Sequence, residues 1–237
     1  MDAAQRDLRL AAHLRADAAE LLAYLPAARH AAAGGPGGGE AALDGIARAA
    51  YRMLRTAENL AAHAALAAVP RLRPVCATAL AAAYVSGAAG VCRAAVFHTE
   101  WPRTPLWTMG DARLFADALG NLLANALLYG GECAQIRVRA ARSASALTLT
   151  VADSGTGCAL PNDANSDSLG LGLGIARRYA QVCGGQLIAQ TMPGRCACFS
   201  LCLPLCAPGV QSETPDYVAD RFSPLYVQLA PVCDLPL

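Results

Sequence analysis

The sequence has no lysine: all 19 of its Lys and Arg residues are arginine. That excludes chemistry built on a lysine nucleophile or Schiff base. It also excludes the phosphate loop G-x-x-x-x-G-K-[ST]. No pair of cysteines has the C-x-x-C spacing of zinc sites, although there are 10 of them in 237 residues. Aromatic residues make up only 5%, so alanine and leucine must build the core. Charge is scarce at 16% and nearly balanced at +1, so no basic surface calls for nucleic acid. Hydrophobic content of 55% excludes a disordered chain. The length suits one large or two small domains.

Residues 75–92 carry no charge and approach a membrane-spanning length. They are mostly alanine, with Thr78, Ser86, Gly87 and Gly90 among them, and lack the leucine density that drives insertion. A buried helix is the expectation, with no membrane span. Met1–Asp7 shows no basic stretch leading into an apolar one, which predicts a cytoplasmic chain. The cysteines then read as small buried thiols, with Cys196, Cys198, Cys202 and Cys206 on one face of a strand.

Residues 1–70 read as a helical hairpin. Leu14, Ala18, Leu21, Leu25 and Ala28 recur at spacings of four and three, and residues 32–39 form a glycine-rich break. Ile46, Ala50, Met53, Ala57, Leu60, Ala64 and Ala67 then mark an a/d seam. A homodimeric four-helix bundle would bury such a stripe. Packing of both helices on the chain's own second domain is the alternative. Pro70–Pro74 reads as a linker.

Residues 74–206 predict an α+β two-layer sandwich. Expected helices cover 76–90, 111–128 with Asp111 as N-cap, and 172–183, stopped at Gly184-Gly185. Expected strands cover 92–98, 135–139, 147–151, 186–191 and 197–203. Residues 207–237 form a proline-containing tail without an assigned role.

Three motifs carry chemistry. Asn121 and Asn125 lie four apart on one helix face, and two amides inside an apolar helix need partners. Asp153-Ser154-Gly155-Thr156-Gly157 ends a strand with a carboxylate able to accept from an exocyclic amine. Gly170, Gly172 and Gly174 open a helix whose backbone N–H groups and dipole favour an anion.

In this order the motifs resemble the ATP-binding domain of sensor histidine kinases, in the superfamily with the DNA gyrase, heat-shock chaperone and mismatch-repair ATPases. Asn121–Tyr129 resembles the asparagine box, Asp153–Gly157 the first glycine box and Gly170–Gly174 the second. The resemblance implies that Asp153 binds the adenine amine, Asn125 holds Mg²⁺ and Asn121 lies near the phosphates. It implies that Gly155 and Gly157 admit the base, Gly170, Gly172 and Gly174 wrap the triphosphate, and Tyr129 lines the nucleotide. Leu128 stands where the family usually carries a basic residue. The loop 158–168 is short, and the phenylalanine box is absent.

The hairpin resembles the family's dimerisation and phosphoacceptor element more weakly. His13 in Ala12-His13-Leu14-Arg15 is one position late relative to the arginine and has no acid after it, a rotation of about 100° on a helix. It is the candidate phosphoacceptor, and His63 is a lesser one. The expectation is an ATP- and Mg²⁺-binding, histidine-kinase-like protein that passes phosphate to a response regulator. A regulatory module that docks a partner through its bundle is the alternative, with an anti-sigma-type serine kinase third.

Overall fold

The computed structural model describes residues 11–12, 14–15, 18–25, 28–29, 39–68, 70–131, 134–154, 171–192, 196–210 and 214–233. Residues 18–25 are helical (α1) and precede the long helix α2 (Gly39–Ala67). Arg29 pairs with Asp44 and ties the first helical segment to α2. There follow β1 (Arg73–Cys76), α3 (Ala77–Val91), β2 (Val96–Glu100), β3 (Trp107–Gly110) and α4 (Ala112–Tyr129). Then come β4 (Gln135–Arg142), β5 (Ala146–Asp153), α5 (Leu171–Val182), β6 (Gln186–Met192), β7 (Cys196–Pro204) and α6 (Pro224–Leu229).

The main sheet runs β2-β4-β5-β7-β6, with β2 parallel to β4 and every other pair antiparallel. Strict alternation in β5 turns Leu147, Leu149 and Val151 toward the helices. The register sets them opposite Leu203, Leu201 and Phe199 of β7. Burying each such side chain stabilises the fold by about 1.5–3 kcal/mol. The opposite face carries Thr148, Thr150, Cys198, Ser200 and Cys202, with Thr150 and Ser200 hydroxyls 3.0 Å apart. This is the expected α+β sandwich of sheet and helices.

The sequence-based boundaries hold best where chemistry marks an end. Asp111 caps α4 by accepting from the Leu114 N–H at 3.0 Å. Gly184, at φ 75°, ends α5 in a conformation that suits glycine. Three expectations need correction. The presumed linker contributes Arg73 and Pro74 to β1, which pairs with the unforeseen β3. The strand expected at 92–98 runs instead from Val96 to Glu100. Cys198, Cys202, Cys206 and Cys233 are half-buried; only Cys76, Cys92 and Cys183 among the described thiols are buried. In β7 the reason is parity: Ala197, Phe199, Leu201 and Leu203 take the helix-facing positions. The tail, to which the sequence assigned no role, contributes α6, which is buried against α2, α3 and α4.

The uncharged stretch is α3, whose Leu80, Ala81, Tyr84, Val85 and Ala88 sit in the core. Among the described residues no helix is long and apolar enough to cross a membrane.

The seam of α2 divides. Ala50, Ala57 and Ala64 are buried, whereas Ile46 is 47% and Met53 40% exposed. Tyr51, Leu54, Ala62 and Leu66 are buried alongside them, as α2 packs on α4, α5 and α6 of its own chain. On the first helix Leu22 takes the inward position and Leu21 stays exposed.

Candidate functional site

α4 forms because it is rich in alanine and leucine, is capped by Asp111 and contains no proline. It places Asn121, Asn125 and Tyr129 at successive four-residue steps on one flank. Beyond Tyr129 the chain leaves the helix, reaches Ala134 and enters β4, whose Ile136 pairs with Asp153. The C-terminal end of α4 and the exit of β5 therefore lie at the same edge of the sandwich. Asp153 is 5% exposed on the helix-facing side of the sheet. Asn125 and Tyr129 are half-buried.

α5 closes on α4 through Gly172. A Cβ at that position would collide with Asn121 Oδ1, so the two elements meet without a side chain between them. At Gly174 a Cβ would meet open space. Phe115 and Tyr179 hold the helices together edge to face, with ring centroids 6.0 Å apart. The structure thus brings Asn121 and Gly172 into contact. It sets Asn125, Tyr129 and Asp153 near one edge. Gly155, Gly157, Gly170 and His13 lie outside the described residues. His63 is exposed on α2. Leu128 is 52% exposed.

Sequence reasoning missed what encloses Asn121, which has no exposed surface. Its Nδ2 donates to Asn59 Oδ1 and to the Asp117 carbonyl, both at 2.9 Å. Its Oδ1 accepts from Asn59 Nδ2 and Arg55 Nη2 at 3.4 Å. Gln228 of α6, also without exposed surface, completes the network. Its Nε2 donates to Asn59 Oδ1 at 2.9 Å, and its Oε1 accepts from Arg55 Nε at 3.0 Å. Burial lowers the Arg55 pKa. The amide that faces Gly172 is therefore held by α2 and α6 of the same chain.

A second cluster lies one turn earlier on α4. Arg113 bridges Glu58 at 2.7 Å and Asp117 at 3.4 Å. Arg15 lies 2.8 Å from the other Glu58 oxygen. Burial pushes the Asp117 carboxyl up to about 7; Arg113 opposes the rise and Glu58 adds to it.

The tail is anchored as closely as the network it completes. Tyr84 donates to the Pro224 carbonyl at 3.1 Å and Tyr51 to that of Arg221 at 3.3 Å. A Cβ on Gly120 would clash with the Tyr84 hydroxyl and lie 2.9 Å from Gln228 Cγ. A Cβ on Gly87 would lie 2.8 Å from Leu225 Cδ1. Both glycines sit inside helices and leave room for α6.

Residues 110–207 match the family model described as histidine kinase-, DNA gyrase B-, and HSP90-like ATPase. That segment is an ATPase domain of this family. The domain holds the asparagine helix, Asp153, and the glycines that open α5. Solved structures that share the fold include three histidine kinases. A mycobacterial sensor histidine kinase, MprB, is 20% identical over 56% of this chain and 97% of its own, with a TM-score of 0.50. The histidine kinase AdeS of Acinetobacter baumannii is 17% identical over 78% of this chain and 94% of its own, with a TM-score of 0.54. Full-length ShkA in complex with AMPPNP is 18% identical over 87% of this chain and 47% of its own, with a TM-score of 0.62. No curated protein matches the chain.

The donor set of the ATPase domain suits a magnesium nucleotide in part. An amide oxygen such as that of Asn125 is a hard donor for Mg²⁺. A buried carboxylate at a strand exit, as at Asp153, suits an amine. Asn121 is the exception, because Asn59 and Arg55 occupy its carbonyl and Asn59 and the α4 backbone its amine.

Proposed function

We propose that the chain binds ATP with Mg²⁺ at the edge formed by α4, α5 and the exit of β5, and acts as a histidine-kinase-like signalling protein. The observation that carries the reading is Gly172 seated on Asn121 within the ATPase domain, which joins the asparagine helix to the glycine-led start of α5. Asp153 would accept from the adenine amine. Asn125 would hold Mg²⁺, whose charge offsets that of the phosphates. Gly172 and Gly174 would leave backbone and space for the phosphate chain. The enclosed arrangement is a resting state: Asn121 becomes available when α2 and α6 part from α4.

Phosphoryl transfer rests mainly on positioning and charge neutralisation. Leu128 supplies no charge, and the residue that follows His13 in the sequence is Leu14, not an acid able to polarise its ring. Each missing orienting or acid–base contact costs roughly 10²-fold or more in rate. The proposal is therefore slow transfer of the γ-phosphoryl to His13 in a homodimer, and onward to an aspartate of a response regulator. Incubation with γ-labelled ATP tests this. The expected product is a small amount of acid-labile, alkali-stable label that His13→Ala abolishes. Robust label surviving His13→Ala removes His13 from the mechanism. Tight ATP binding without label favours the second reading, a regulatory module that docks a partner. The enclosure of Asn121 and the exposure of Leu128 are the observations on its side.

A further inference from the structure

Two cysteines far apart in sequence meet at the tail. Cys92 is the C-cap residue of α3 and is 1% exposed. Cys233 follows α6, with its backbone N–H bonded to Leu229 O at 3.0 Å. Their Sγ atoms are 2.9 Å apart, and the Cys233 thiol also donates to Leu229 O at 3.0 Å. The sulfurs therefore stand within about 1 Å of bonding distance, about 2.05 Å. Both residues line a cavity of about 240 Å³ that Arg48 and Arg93 also line. Cys233, half-buried at the cavity wall, is the sulfur a reagent meets first, and the Arg93 guanidinium at the same wall favours an anionic one.

We propose that Cys92 and Cys233 are a redox pair, and that their oxidation to a disulfide by an anionic low-molecular-weight disulfide locks α6 across α4. Cys233 Sγ, as thiolate, attacks one sulfur of the reagent, and the other sulfur leaves as a thiolate. Cys92 Sγ, having lost its proton, then displaces the second half. The protein gives up two electrons and two thiol protons, and two small thiols result. The link joins the end of α3 to the residues that follow Gln228. With α6 fixed, Gln228 continues to hold Arg55 and Asn59 on Asn121. The consequence for nucleotide binding rests on the function proposed above; the covalent pair does not.

The test treats the full chain with oxidised glutathione and maps the products without reduction. Cleavage after arginine should yield residues 72–93 joined to 222–237, with a mass loss of about 2 Da that dithiothreitol reverses. Fragmentation distinguishes Cys92 from Cys76 in the first peptide. Cys233→Ser, at a half-buried position, should abolish the link and leave the fold intact. Amide exchange over 224–233 should slow about tenfold or more in the oxidised protein, and ATP–Mg²⁺ should bind about tenfold or more weakly. The proposal is overturned if cross-links scatter over other cysteines, or if the link forms with unchanged exchange. Slowed exchange with equal ATP binding by the two forms supports the pair and its lock on α6, and overturns the competition between enclosure and nucleotide instead. Absence of ATP binding by the reduced protein defeats the nucleotide reading instead, and peptide mapping with exchange still decides the pair.

Discussion

Gln228→Ala should loosen the chain and tighten nucleotide binding at the same time. Gln228 is wholly buried and makes two hydrogen bonds, one to Asn59 and one from the Arg55 guanidinium. A bond to a charged group contributes about 1.5–3 kcal/mol and a neutral one about 1 kcal/mol. Their joint loss, with Arg55 left short of an acceptor, destabilises the docked α6 by about 3 kcal/mol. For a chain of this size that lowers the melting temperature by roughly 6–12 °C. The same energy no longer opposes the parting of α2 and α6 from α4. Apparent affinity scales with the fraction of open protein, so about 3 kcal/mol should improve it by roughly two orders of magnitude while the closed state still dominates. Calorimetric titration with ATP–Mg²⁺, set beside thermal unfolding of the same samples, measures both effects. Gln228→Glu keeps the acceptor for Arg55 and should fall between the two. A lower melting temperature with unchanged affinity would refute the idea that enclosure and nucleotide compete for Asn121.

Three further outcomes follow from other parts of the molecule. Asp153→Asn should weaken ATP binding by about 1.5–3 kcal/mol, the worth of a charge-assisted acceptor; unchanged affinity by calorimetry would remove Asp153 from the pocket. Met53→Asp with Leu60→Asp should convert a dimer to monomers, because unpaired charges on the bundle seam are costly to bury; a wild-type chain already monomeric at micromolar concentration in sedimentation would rule the bundle out. Asp117→Asn should flatten the pH dependence of stability. The native carboxyl titrates at about 7, against about 3.9 unfolded. Between those values the native state holds a proton that the unfolded state has lost, so stability falls as pH rises through the window, by about 4 kcal/mol at most, and the loss is complete above the native value. Urea unfolding at intervals from pH 4 to 8 should show the decline in the wild type and not in the variant; equal slopes would refute the assignment to Asp117.

The ATPase domain was legible because its signals are local. Asp111 announces α4, the period-two alternation of 147–151 announces β5, and Gly184 ends α5, each through chemistry confined to a few residues. The burial of α2 was harder to place because alanine dominates that helix. A stripe of Ala50, Ala57 and Ala64 is inward in the structure, yet so is the neighbouring row of Tyr51, Leu54 and Ala62. Alanine is small enough to face either a partner helix or the chain's own core, so periodicity marked a buried helix without naming the surface that covers it. Arg55, Glu58 and Asn59 on the same helix mark the flank that its own chain covers. Here they reach Asn121, Arg113 and Gln228.

The tail left a fainter trace. α6 has only six residues, Pro-Leu-Tyr-Val-Gln-Leu, too few to establish a helical period, and its central partner is a glutamine that hydropathy counts as exposed. What marked it was written into the helices that receive it. Alanine fills most small positions of α3 and α4, and glycine in a helix interior costs about 1 kcal/mol against alanine. Gly87 and Gly120 accept that cost where a methyl group would strike Leu225, or the Tyr84 hydroxyl and Gln228. Gly90, in the last turn of α3, meets open space, whereas Gly87 and Gly120, deeper in their helices, each report a neighbour that needs the room. Taken together, the two glycines call for a third element lying across both α3 and α4, and α6 is the element that fills the room they leave.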